Sequence, residues 1–159
     1  ADDFASAKKG LEAVEAAINE KGDVAYGEEI FLRLQCTKCH TTKASEAPRG
    51  PFLGTIASTY KRKDLVEAVL LPSKTLAQGF VTNQFVLDDG RVLVGFVTKE
   101  AADQVTIRDA EAKEHVIPVT SIEERKKQTL SVMPDGLAKE LTLKEFASLI
   151  DYLQSLPKK

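Results

Sequence analysis

The run Cys36-Thr37-Lys38-Cys39-His40 places two thiols and an imidazole within five residues. Two thiols three positions apart can add across the two vinyl groups of one porphyrin. The histidine that follows is then held beneath the ring, where it can bind iron axially. Cys-x-x-Cys-His is thus the attachment pattern of a c-type haem. The chain has two cysteines and two histidines in all, and three of these four residues lie in this pentapeptide.

Other chemistry for the same residues is weaker. A disulfide between cysteines three apart closes a very small loop and stabilises little. A thioredoxin-type pair needs the motif between a strand and a helix, whereas the residues before Cys36 read as helical. A structural zinc site needs four ligands, and Cys36, Cys39, His40 and His115 are the only cysteines and histidines present.

If His40 supplies one axial bond to a haem iron, the opposite side of the iron decides the job. An open position suits oxygen, peroxide or gas chemistry; a second protein ligand suits electron transfer. Met133, the only methionine, sits in the loop-like run Ser131-Val132-Met133-Pro134, and His115 is the only other histidine. A methionine on an apolar helix face would read as core filling. Met133 is instead flanked by Pro134 and Gly136, so it is the favoured sixth ligand, and His115 reads as a strand-edge residue. Tyr60 and Arg62, or Lys61, are candidate donors to the haem propionates, since buried carboxylates need donors; a solvated helix start accounts for them equally well.

The elements that must position these residues follow from periodicity. Phe4, Leu11, Val14 and Ile18 make one apolar face of a helix over 2–20. A second helix over about 24–36, with Ile30, Phe31 and Leu34 inward, delivers the chain into the motif. Pro48, Gly50, Pro51 and Gly54 mark a loop, and a third helix covers about 62–70. From 79 the texture changes. Phe80–Leu87 and Arg91–Thr98 flank the turn signal Asp88-Asp89-Gly90, and two shorter strands follow at 104–108 and 115–119. Residues 120–141 read mostly as loop. Thr142-x-x-Glu145 is a capping box that opens a last helix with Phe146, Leu149, Ile150 and Leu153 inward.

A chain of 159 residues with 43% hydrophobic and 29% charged residues is that of an ordinary globular protein. Its net charge of −2 gives no pull toward nucleic acid. No apolar run approaches the length of a transmembrane helix. The start at Ala1, without an initiator Met, fits a processed mature end or a piece cut from a longer chain. Covalent haem attachment in bacteria takes place outside the cytoplasmic membrane, so the motif implies an exported, periplasmic protein. The basic runs Lys61-Arg62-Lys63 and Arg125-Lys126-Lys127 read as ordinary solvated charge more readily than as a docking surface.

The stretch Gly22-Asp23-Val24, Gly27, Ile30-Phe31 and the haem motif resembles the amino-terminal helix of class I cytochromes c. Leu149-Ile150-Asp151-Tyr152-Leu153 resembles their carboxy-terminal helix. The resemblance implies that Gly27 and Phe31 pack against Tyr152. It implies too that the Gly50-Pro51 carbonyl accepts a hydrogen bond from the axial imidazole, and that Met133-Pro134 is the ligand loop. Two departures stand out. The interval from Phe31 to Cys36 is one residue longer than in the most familiar members, and 93 residues separate His40 from Met133. Taking out 79–124 leaves 47, a span the ordinary fold accommodates. The series Gly50-Pro51, Leu71-Pro72-Ser73, Gly79-Phe80, Asp89-Gly90, Gly95, Met133-Pro134 and Leu141-Thr142 is similar to the haem-binding module of planctomycete-type membrane-bound dehydrogenase-like proteins, where a β-rich block precedes the methionine loop.

The expectation is a mainly α chain: a single monohaem domain over 1–159 with the class I cytochrome c fold, an N-terminal helical extension over 1–22 and a small antiparallel sheet inserted at 79–124. It would bind one haem c through Cys36, Cys39, His40, Pro51, Tyr60, Arg62 and Met133, with His40 and Met133 on the iron. It would exchange electrons with redox partners such as a dehydrogenase or oxidase and transform no substrate. Alternatives are a haem electron outlet of a larger dehydrogenase and, further off, a gas sensor or peroxidase.

Overall fold

The structure, a computed structural model, describes residues 11–47, 49–77 and 79–157. Phe4, and with it the first part of the helix expected over 2–20, lies outside the described residues. The chain divides into two compact units, one made of Ala1–Lys74 with Asp135–Lys159 and the other of Thr75–Pro134.

The first unit is helical, with α1 (Leu11–Asn19), α2 (Val24–Arg33), α3 (Arg62–Leu70) and α4 (Leu143–Gln154). α2 starts at Asp23, whose side chain accepts from the Tyr26 N–H and satisfies one of the donors a helix leaves unpaired at its first turn. α4 opens on the capping box seen in the sequence: Glu145 N–H donates to Thr142 Oγ1 at 3.1 Å, and Thr142 N–H donates to Glu145 Oε1 at 3.0 Å.

α2 and α4 cross closely, and sequence dictates how closely. A Cβ on Gly27 would stand 1.9 Å from the Ser148 carbonyl oxygen and 2.7 Å from Tyr152 Cβ, so only glycine allows this approach. One turn further on, the Phe31 and Tyr152 rings meet with centroids 5.4 Å apart and planes tilted by 52°. Ser148 Oγ accepts from Asp23 N–H at 2.9 Å and donates to the Lys144 carbonyl at 2.8 Å. Asp151 accepts from Gly22 N–H at 2.8 Å. Ile30, Phe146, Leu149 and Ile150 fill the buried seam.

The second unit is a five-stranded antiparallel sheet in the order β4-β3-β2-β1-β5, with β1 Thr82–Leu87, β2 Val92–Glu100, β3 Gln104–Arg108, β4 Glu114–Pro118 and β5 Ile122–Lys127. The turn between β1 and β2 lies where Asp88-Asp89-Gly90 predicts it. Gly90 takes φ +87°, and its N–H donates to the Leu87 carbonyl. Phe85, Leu87, Val105, Ile107 and Ile117 form a core on one face.

This sheet corrects the expectation of a mainly α chain with the class I cytochrome c fold. The structure has four helices among the described residues and a five-stranded sheet, about 33% helical and 22% strand, and is a mixture of α and β. Two physical facts account for the difference. The sheet carries its own apolar core, so it is a compact unit in its own right. It also gains β5, whose residues Glu123 to Lys127 are all exposed. A run of five charged residues shows no alternation of apolar and polar, so it reads as loop. It nevertheless pairs with β1 from Asn83↔Lys127 to Leu87↔Ile122 and blunts that edge with charge.

Candidate functional site

The site lies in the helical unit, where α2 ends. Gln35 takes φ 59° and ψ 33°, a left-handed conformation that turns the chain out of the helix. The next three residues, Cys36–Lys38, form a single 3-10 turn. Cys39 and His40 N–H both donate to the Cys36 carbonyl, at 3.3 and 2.9 Å. The expected helix over 24–36 is thus a helix to Arg33, a reversal at Gln35 and a tight turn that carries the motif.

Cys36 and Cys39 are both thiols and both half-buried. Burial, with the Cys39 thiol as a smaller like-charge neighbour, pushes the Cys36 thiol up to about 11. A redox-active Cys-x-x-Cys pair depends on a depressed thiol pKa, so this microenvironment opposes thiol-disulfide chemistry. Among the described residues no three His, Cys, Asp or Glu side chains converge to hold a metal ion by themselves. Among the described residues the zinc reading has no ligand set.

His40 Nδ1 lies 2.7 Å from the Pro51 carbonyl oxygen. A carbonyl can only accept, so Nδ1 carries the proton and Nε2 keeps its lone pair. Burial lowers the His40 pKa, with the Pro51 hydrogen bond opposing part of that effect. The result is a neutral imidazole of fixed tautomer whose Nε2 lone pair is left to accept, the state a metal-binding imidazole requires.

The loop bearing Pro51 is held against the motif on both sides. A Cβ on Gly50 would stand 2.4 Å from the Cys39 carbonyl oxygen, so glycine permits the approach. Leu53 N–H donates to the Thr41 carbonyl at 2.9 Å, and Thr41 is buried. Arg49 Nη2 donates to the Thr37 carbonyl at 2.9 Å.

The other candidates fall in different places. Arg62, a candidate propionate donor or else a solvated residue at a helix start, spends every donor inside the fold. Nε donates to the Ile18 carbonyl, Nη1 to Asp151 Oδ1 and Gln154 Oε1, and Nη2 to the Ala17 and Glu20 carbonyls. A guanidinium has five N–H groups, so none is left for a ligand, and Arg62 ties the end of α1 to α4. Tyr60 is half-buried just before α3. Met133 belongs to the sheet unit, in the loop after β5; it is half-buried, and its N–H donates to Ser131 Oγ at 3.1 Å. His115 is held within the sheet unit by Asp109, with Nε2 at 2.7 Å from Oδ2.

No protein-family model and no curated protein matches this chain. The donor set must therefore be judged by its own chemistry. Two thiols of one tight turn followed by an imidazole with its proton pinned on Nδ1 fit a covalently attached haem. They fit neither a disulfide switch nor a closed zinc site.

Proposed function

We propose that this protein is a monohaem c-type cytochrome that carries electrons. Cys36 and Cys39 would hold the haem through thioether bonds, and His40 Nε2 and Met133 would be its axial ligands. The observation that carries the reading is the 2.7 Å contact of His40 Nδ1 with the Pro51 carbonyl, eleven residues away in sequence. A free surface histidine has no need of a fixed tautomer, whereas an iron ligand does.

When bound, haem supplies a one-electron ferric–ferrous couple. The protein's own groups do the rest. Pro51 orients the imidazole and raises its donor strength. Met133, as a thioether, would favour reduced iron and raise the potential. Tyr60 is a donor for a propionate. With His40 and Met133 both holding the iron, electron transfer would need little rearrangement, and no substrate would be transformed. The protein is proposed to work outside the cytoplasmic membrane, exchanging electrons with a dehydrogenase or oxidase. No helix among the described residues is long and apolar enough to cross a membrane.

The test is spectroscopic. Protein produced with the haem-attachment machinery should show one haem per chain that survives acid-acetone extraction, and a ferric charge-transfer band typical of methionine ligation. Met133→Ala should abolish that band and admit carbon monoxide rapidly to the reduced iron. Extractable haem, or none at all, overturns the haem c assignment. A band that survives Met133→Ala overturns the assignment of the sixth ligand.

A further inference from the structure

We propose that Arg49 is a positioning residue for the axial imidazole; the proposal rests on the haem reading above. The segment 49–53 meets the segment 37–41 through three hydrogen bonds. Arg49 Nη2 donates to the Thr37 carbonyl at 2.9 Å, His40 Nδ1 to the Pro51 carbonyl at 2.7 Å, and Leu53 N–H to the Thr41 carbonyl at 2.9 Å. The histidine bond is the middle one. Its acceptor is a backbone atom of a loop, and a loop holds a carbonyl in place only if it is itself tethered.

On one side the tether is backbone, at Leu53. On the other it is a side chain, and that side chain is Arg49. Its anchor is well chosen. Thr37 lies inside the 3-10 turn of the motif, where carbonyls at the end of a helical turn lack backbone partners. The guanidinium therefore spans the loop and the turn to which the porphyrin would be bonded. Glu46, with Oε2 at 3.8 Å from Arg49 Nη2 and Oε1 at 3.3 Å from the Lys43 N–H, lies beside the same guanidinium from within the loop. Gly50 completes the arrangement, since any side chain there would drive the loop away from Cys39.

The consequence for the iron has a definite sign. A strong Nδ1–H···O bond makes the imidazole a better electron donor and favours ferric iron. Loosening the Pro51 carbonyl weakens that bond, so loss of Arg49 raises the reduction potential. A guanidinium acting only through its charge has the opposite effect. Removing a nearby cation relieves repulsion with the more positive ferric iron and lowers the potential.

The experiment measures the reduction potential of the holoprotein and the deuterium exchange rate of the His40 Nδ1 proton in the reduced protein. It compares wild type with Arg49→Ala and Arg49→Lys. Arg49→Ala is expected to shift the ferric-to-ferrous ratio at fixed solution potential toward ferrous by up to about tenfold, the low end of what losing an outer hydrogen-bond partner costs a metal site. It should also speed exchange of the Nδ1 proton. Arg49→Lys keeps a donor and should restore most of both readouts; should the alanine variant fail to mature, the lysine variant shows the same signs at smaller size. A fall in potential with unchanged exchange overturns the proposal in favour of charge alone. Unchanged values of both overturn it outright. Absence of covalent haem in the wild type is a different failure, and it removes the haem reading itself.

Discussion

Gly27 and Ser148 meet where α2 crosses α4, so closely that a single added methyl at Gly27 would stand 1.9 Å from the Ser148 carbonyl oxygen. The obstacle is backbone and cannot rotate away. Gly27→Ala must therefore separate the helices and disturb the Phe31–Tyr152 ring contact. Overpacking of this kind costs about 1–3 kcal/mol, and more where the backbone must move. Chemical denaturation should show a loss of at least about 2 kcal/mol. A neutral result would show that the helices cross further apart than described.

Arg62 provides a second test in the same unit, because its two readings make opposite demands. All five of its N–H groups are used within the fold, and it pairs with Asp151, both side chains 17% exposed. Breaking a buried pair by removing one partner costs about 3–5 kcal/mol. Arg62→Ala should lower the melting temperature by roughly 6–20 °C, taking 2–4 °C per kcal/mol for a chain of this size. If haem is attached as proposed, its optical spectrum should be unchanged well below the transition. A propionate donor would behave the other way, with a perturbed haem and little loss of stability.

How legible these features are in the sequence follows from their range. Gly27, Phe31 and Tyr152 stand out because a glycine and two rings at helical spacing have few other uses, and Thr142 with Glu145 announces a helix start within four residues. The turn at Gly90 is equally local. Gln35 is different: nothing about a glutamine before Cys36 signals a left-handed residue, so the sequence carries no sign of the reversal that sets the motif off from α2. Arg62 looks solvated because its partners, at Ala17, Ile18, Glu20, Asp151 and Gln154, are distant in sequence. Arg49 escapes notice for the same reason. β5 hides behind its charges, since ladder hydrogen bonds to β1 hold it, and of its side chains Ile122 alone is an apolar group packed against the core.

Glu145 ties the helical unit to pH. Its carboxylate accepts from Arg33 Nη2 at 2.7 Å, from Thr142 N–H and from Tyr26 Oη–H at 2.8 Å, and these partners, Arg33 foremost, lower its pKa from 4.5 to about 2. A carboxyl whose pKa is depressed on folding contributes fully above its unfolded value. The contribution here is complete above about pH 4.5 and is lost as pH falls toward 2. Stability measured between those limits should therefore fall more steeply in wild type than in Glu145→Gln, whose curve should be lower at neutral pH and flatter below 4.5. Parallel acid limbs would show that Glu145 is not responsible.

Cys36 supplies a test that needs no haem. Burial pushes its thiol up to about 11, so at pH 8 only about one Cys36 in a thousand is thiolate. The thiolate is the nucleophile. In haem-free protein, alkylation of Cys36 by iodoacetamide should be slow at pH 8 and accelerate about tenfold per pH unit toward pH 11, far behind a free cysteine of pKa ≈ 8.5. The comparison bears on function. A dithiol used in redox exchange works through a thiolate formed near neutral pH, whereas thiols destined for thioether bonds need only be presented at the right spacing. Rapid alkylation of Cys36 at pH 7 would restore the thiol-redox alternative that this burial disfavours.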